Sequence, residues 1–224
     1  MSALPSGGAN TIHVVNPNAN AAVTAGLDTA LASLRFADGP RIVCHTLADG
    51  PFGIESQVDS DAVVLPLVRL VQELPGAAAI VIACYSDPGL DACRSISAAP
   101  VFGIQEAGVL SALGMGDRFG VLAIAPASVQ RHLRYLRRMG VIERLAGERA
   151  LGLTVDQSAR GDGTFARLET VGRELIETDG ADVLILGCAG MAVHRAPLER
   201  ALGRPVIEPT RAAVAMALGR VPID

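Results

Sequence analysis

Four runs rich in Val, Ile and Leu in the first half of the chain return in the same order in the second half. The first series is TIHVVNPN (residues 11–18), RIVCHTLA (41–48), AAIVIACY (78–85) and APVFGIQE (99–106). The second is RFGVLAIAPAS (118–128), RALGLTVDQ (149–157), ADVLILGCAG (181–190) and RPVIEPTRA (204–212). Runs without polar alternation suit strands buried on both faces, the situation in a parallel sheet. Intervening segments such as ANAAVTAGLDTALASL and DSDAVVLPLVRLVQEL have helical apolar spacing, so the pattern is one of βαβ units. The two series also share a register. Val15-Asn16-Pro17 aligns with Ile124-Ala125-Pro126, Cys84 with Cys188, and Pro100-Val101 with Pro205-Val206. A period of about a hundred residues is too long for a solenoid. The expected fold is therefore α/β, with two pseudo-symmetric lobes, each a four-stranded parallel sheet flanked by helices, and a cleft between them.

In open parallel sheets, ligands settle at the carboxyl ends of the strands. Cys84 and Cys188 both stand there, and a pseudo-twofold arrangement of the lobes brings them to one cleft from opposite sides. Each is followed by a turn of small and polar residues, YSDPGL and AGM, whose amides are expected to point donors into the cleft and favour a thiolate. One sulfur then removes a proton from a carbon acid while the other delivers one to the opposite face, which inverts the stereocentre. Cys44, inside a strand, and Cys93, on the helix after DPGLDA, read as core residues, the usual fate of a free cysteine.

Composition excludes several other functions. Half of the 224 residues are hydrophobic, 19% are charged and the net charge is −4, with basic residues scattered. That gives no footprint for nucleic acid and little attraction to an anionic membrane; the partner expected is a small-molecule substrate. Arg131, Arg134, Arg137 and Arg138 in RHLRYLRRMG read as one solvated helix face. The opening MSALPSGGAN lacks the basic start and apolar stretch of a signal peptide and reads as a loose tail, and no segment is long and apolar enough to span a membrane. A cytoplasmic protein with free thiols is expected. There is no GxGxxG, GxxxxGK[ST], Cys-x-x-Cys or histidine pair at ligand spacing, so neither metal nor organic cofactor is expected. The apolar composition suggests a homo-oligomer.

Taken together, IHVVNPN, GPFGIES, VIACYSDPGLDACR, PVFGIQEAG and LILGCAGMA resemble the hydantoin racemase branch of the aspartate/glutamate racemase superfamily, which also includes allantoin racemases. The resemblance runs from Thr11 to the C-terminal RAAVAMALGR. It implies cofactor-independent, two-base racemisation of a 5-substituted hydantoin or related cyclic ureide, with Cys84 and Cys188 as acid and base. It also implies crossed-over helices, so that residues 1–104 plus 210–224 form the first lobe and 105–209 the second. Amino-acid racemases of the superfamily carry Thr-His after the second cysteine, where this chain has Ala189-Gly190, and that favours cyclic ureides. Two departures stand out: Tyr85-Ser86 replaces Phe-Gly before DPGL, and Ala123-Ile124 replaces a Thr-Thr pair expected to line the pocket. A more apolar pocket wall and a bulkier substrate follow.

Asn16 either bonds a substrate carbonyl or amide, or forms an Asx turn. Asp87 either meets a ring N–H or serves as a cap or turn residue. Glu55 and Ser56 are expected to cap the next helix. Of the four histidines, His13 and His45 fall in strands and His132 on the arginine-rich helix, which leaves His194 as the one near the cleft. Other readings remain open: an allantoin or amino-acid racemase, a cysteine-dependent decarboxylase on the same scaffold, or a ligand-binding module without turnover.

Overall fold

The apolar runs pair as two separate four-stranded parallel sheets in a computed structural model that describes residues 10–74, 76–160 and 163–221. The N-terminal tail lies outside these. The first sheet has β1 (Thr11–Asn16), β2 (Arg41–Thr46), β3 (Ala79–Ile82) and β4 (Val101–Gly103) in the order β2-β1-β3-β4. The second has β5 (Phe119–Ala123), β6 (Leu145–Ala150), β7 (Val183–Gly187) and β8 (Val206–Ile207) in the order β6-β5-β7-β8. The orders are equivalent, as the repeat requires. Every residue of β1, β3, β5 and β7 is buried, so these four central strands need the unbroken apolar runs that distinguish them. Register sets Val15 beside Ile82 and Ala123 beside Gly187. Both cysteines therefore emerge just past the carboxyl edge of a central strand, beside the end of a neighbouring strand.

Helices cover the sheets: α1 (Ala21–Ala30), α2 (Gln57–Ala62), α3 (Val64–Gln72), α4 (Leu90–Ile96), α5 (Ile104–Leu113), α6 (Pro126–Met139), α7 (Val155–Arg160), α8 (Thr164–Glu177), α9 (Arg195–Leu202) and α10 (Pro209–Leu218). Two of them cross between lobes. Helix α5 leaves the first sheet and packs on β5, β7 and β8, whereas α10 leaves the second and packs on β1, β3 and β4; the two helices also pack on each other. Gly108 makes this approach possible, because a Cβ there would sit 3.0 Å from the Pro209 Cβ. Buried Glu208 starts α10 by accepting from the Thr210 and Arg211 amides at 2.9 and 2.7 Å, which satisfies donors that a helix start otherwise leaves unpaired. No helix among the described residues is long and apolar enough to cross a membrane.

One strand lies elsewhere than expected. The RALGLTVDQ run is not β6: the strand occupies 145–150, and residues 155–160 form α7. Thr154 and Gln157 make a reciprocal capping box, with Thr154 N to Gln157 Oε1 at 2.9 Å and Gln157 N to Thr154 Oγ1 at 3.2 Å, and this local exchange starts a helix inside an apolar run. Strand β6 is an edge strand whose residues are all half-buried. Its charged Glu148-Arg149 pair hid it: Glu148 turns inward to His132, and Arg149 outward to Glu174 and Asp179.

In the first sheet, His13 Nδ1 and His45 Nε2 lie 2.8 Å apart and both residues are buried. One imidazole donates and the other accepts, so the contact is lost if both are charged. Burial holds His13 down to about 4 and lowers His45 as well. Because the unfolded chain binds protons first, this stability is present above the unfolded value near 6.5 and is lost as pH falls toward about 4. Urea unfolding at about pH 7 and about pH 5 should show wild type losing more stability on acidification than His13→Asn. Equal losses would contradict the assignment.

Candidate active site

A narrow cavity runs between the facing strand ends, lined by Cys84, Tyr85 and Ser86 from the loop after β3 and by Cys188, Ala189 and Gly190 from the loop after β7. Its volume is about 30 Å³, room for one or two waters, so a ring-sized ligand needs the lobes to part. Both thiols are free. They sit close enough for a charge on Cys188 to raise Cys84, so the pair holds at most one thiolate comfortably.

The two sulfurs have different surroundings. Burial raises Cys188, and the Gly190 amide and the Ser158 hydroxyl oppose it. The Ser158 oxygen is 3.8 Å from the sulfur and its proton goes to the Val155 carbonyl at 2.8 Å, so it donates to a thiolate only by turning from that carbonyl. Gly190 is required here, since a Cβ would lie 2.7 Å from Ser158 Oγ and displace the donor. The expected ring of amides is missing around Cys84. The Ser86 and Asp87 amides turn back to the Cys84 carbonyl at 2.8 and 3.0 Å, because a tight turn starts there, with Asp87 at φ +45°. Positive charge comes from Arg131 instead, which pulls Cys84 down against a larger upward push from burial.

Arg131 and His132 were hidden in the arginine-rich helix. On α6 the buried residues are Ser128, Arg131, His132 and Leu136, the i, i+3, i+4, i+8 stripe of an inward face; Arg134, Arg137 and Arg138 are solvated. Arg131 is 9% exposed and lines the cavity with His132 and Ser128. His132 Nδ1 bonds the Glu148 carboxylate, and its ring stands edge-on to Tyr85 at 4.9 Å. His194, the histidine expected near the cleft, does not line the cavity; its ring lies near Phe165.

Among the expected binding residues, Tyr85, Ser86, Ile124, Ala189 and Gly190 line the cavity, whereas Asn16, Asp87 and Ala123 do not. Asn16 is fully buried and spends its amide on Asn18, Asn20 and Thr24. It fixes Asn18, the second asparagine of NPN, which does reach the cavity. The Asp87 carboxylate accepts from the Gln105 and Glu106 amides, both at 2.9 Å, and so caps α5 from outside. Burial pushes Asp87 up to about 7 against those two donors. Ala123 has no exposed surface and ends β5 against Gly187. Ser56 caps its own helix through a box with Asp59. Glu55 caps a helix of the other lobe, its Oε1 accepting from Val155 N at 3.0 Å.

Two parallel-sheet lobes that exchange helices around one cavity define a fold that allantoin racemase and arylmalonate decarboxylase share. The model of the Asp/Glu/Hydantoin racemase family matches residues 12–217, and the chain belongs to that family. It is 35% identical to hydantoin racemase of Paenarthrobacter aurescens, over 92% of this chain and 89% of that one. It is 36% identical to hydantoin racemase of Rhizobium meliloti, over 92% and 86%. Among solved structures, allantoin racemase from Klebsiella pneumoniae superposes with a TM-score of 0.87 at 31% identity, covering 92% of this chain and 85% of that chain.

A Ser158 hydroxyl that turns from the Val155 carbonyl to the Cys188 sulfur favours its thiolate, so Ser158→Ala should move the pH midpoint of Cys188 alkylation upward. With a hydrogen bond worth about 1 kcal/mol, alkylation below the midpoint should slow roughly fivefold. Peptide mass spectrometry after iodoacetamide pulses reads Cys188 separately from the other thiols, and an unchanged midpoint would remove Ser158 from the site.

Proposed function

We propose that this protein racemises a carbon acid, a 5-substituted hydantoin or related cyclic ureide, by proton transfer between Cys84 and Cys188. The observation that carries the reading is that the equivalent cysteines of the two lobes line one cavity and are electrostatically coupled. The chain's similarity to hydantoin racemases and to an allantoin racemase supports the ureide class.

Chemistry assigns the roles. With the Gly190 amide and Ser158 hydroxyl opposing the rise that burial imposes, Cys188 is the sulfur that gives up its proton to start the reaction, and Cys84 keeps its own. The Cys188 thiolate takes the hydrogen from the ring carbon bearing the substituent, and the electron pair of that C–H bond moves into the neighbouring carbonyl. Cys84 then gives its proton to the opposite face of the same carbon, leaving Cys188 protonated and Cys84 ionised. That is the starting state for the other enantiomer. Cavity walls such as Ile124, Val23, Ile54 and Val155 exclude water, which strengthens each electrostatic contact inside.

Cys84→Ser and Cys188→Ser should each lower racemisation of enantiopure 5-benzylhydantoin at least about 100-fold, the scale of lost acid–base catalysis. Circular dichroism follows the reaction. A decarboxylase on this scaffold needs one protonating thiol, so loss of activity on a malonate-type acid in only one variant would favour that reading. Racemisation that survives in either variant would overturn the two-cysteine assignment.

A further inference from the structure

We propose that the ligand of this cavity carries a carboxylate and that Arg131, with Ser86 beside it, is the group that holds it. This rests on the racemase reading and narrows its substrate class to ureides with an acidic substituent. The cavity wall holds one permanent cation, Arg131, and no carboxylate among the described residues. Arg131 is 9% exposed and forms no salt bridge among the described residues, a situation that a paired anion relieves.

Its hydrogen bonds are all to neutral oxygens: Nε to Ser86 Oγ at 3.3 Å, and Nη1 to the Glu55 and Ala127 carbonyls at 3.3 and 3.4 Å. Nη2 makes no hydrogen bond among the described residues, so two of the five guanidinium donors are left over. The carboxylates whose charge reaches Arg131, Asp59 and Glu148, make no hydrogen bond to it among the described residues. Asp59 Oδ2 takes the Glu55 and Ser56 amides and the Ser56 hydroxyl, and Glu148 takes His132. On the racemase reading Cys188 is the sulfur that ionises, helped by the Gly190 amide against burial, and the neighbour of Arg131 is Cys84, which keeps its proton. A carboxylate fits the geometry that remains, a planar fork with Nη2 open, which Ser86 positions by accepting from Nε while giving its own proton to the Tyr85 carbonyl at 2.7 Å.

The experiment uses the full chain and two near-isosteric probes, hydantoin-5-acetic acid and hydantoin-5-acetamide, with affinities from titration calorimetry at about pH 7.5. Wild type should bind the acid at least about tenfold more tightly than the amide. In Arg131→Gln the preference should fall to about twofold or less, and Arg131→Lys should restore part of it. Equal affinity for the two probes in wild type overturns the proposal, and that comparison needs no variant. A preference that is undiminished in Arg131→Gln overturns it as well. Racemisation of both probes without an acid preference would sink this inference alone. Tight acid-selective binding without racemisation would instead uphold the carboxylate site and sink the racemase reading.

Discussion

A thiolate must exist inside a cavity that excludes most water, and the surroundings of the two sulfurs follow from that requirement. Burial raises both thiols, and a charge on one raises the other. The fold answers with unequal help. Cys188 has an amide from its own loop and a hydroxyl from α7, and Cys84 has a guanidinium from α6. Duplicated strands give the sulfurs equivalent positions, and different neighbours give them different charges. A symmetric site would treat the two thiols alike, whereas this one surrounds them with different neighbours.

The lobes are tied together in ways that protect this arrangement. Exchange of α5 and α10 makes each sheet depend on a helix launched from the other, so sliding of one lobe disturbs the core of both. The contacts across the mouth are lighter. Glu55 caps α7, Asn20 bonds Asp156 at 3.3 Å, and Arg134 bonds Gln57 at 2.7 Å. Such exposed or half-buried polar links are weak individually. The lobes are therefore joined by packed, exchanged helices on one side and by single polar links at the mouth.

Much of this was readable in the amino-acid order. Strands buried on both faces leave unbroken apolar runs, and the repeat of those runs placed Cys84 and Cys188 before any coordinates. What escaped depends on pairing over distance. Glu148 made β6 look unlike a strand because its charge is met by His132, sixteen residues earlier on another element. Arg131 looked like a member of a solvated face because four arginines crowd one helix; the spacing Ser128, His132, Leu136 marked the inward stripe and placed Arg131 at its border. Asp87 and Asn16 are polar residues at the right loops, but Asp87 turns to the amides that start α5 and Asn16 to its own loop and α1, a choice that residue type alone does not reveal.

Isotopic overshoot probes the opposed sulfurs most directly. One enantiomer of a protiated substrate is followed by circular dichroism in heavy water from the first seconds to equilibrium. Two opposed bases place a solvent-derived deuteron on the product while the remaining starting enantiomer stays protiated and reacts faster, so the signal should cross zero, reverse and then decay. A monotonic approach to zero, with the original hydrogen retained in early product, would mean one group serving both faces and would contradict the arrangement of Cys84 and Cys188 described above.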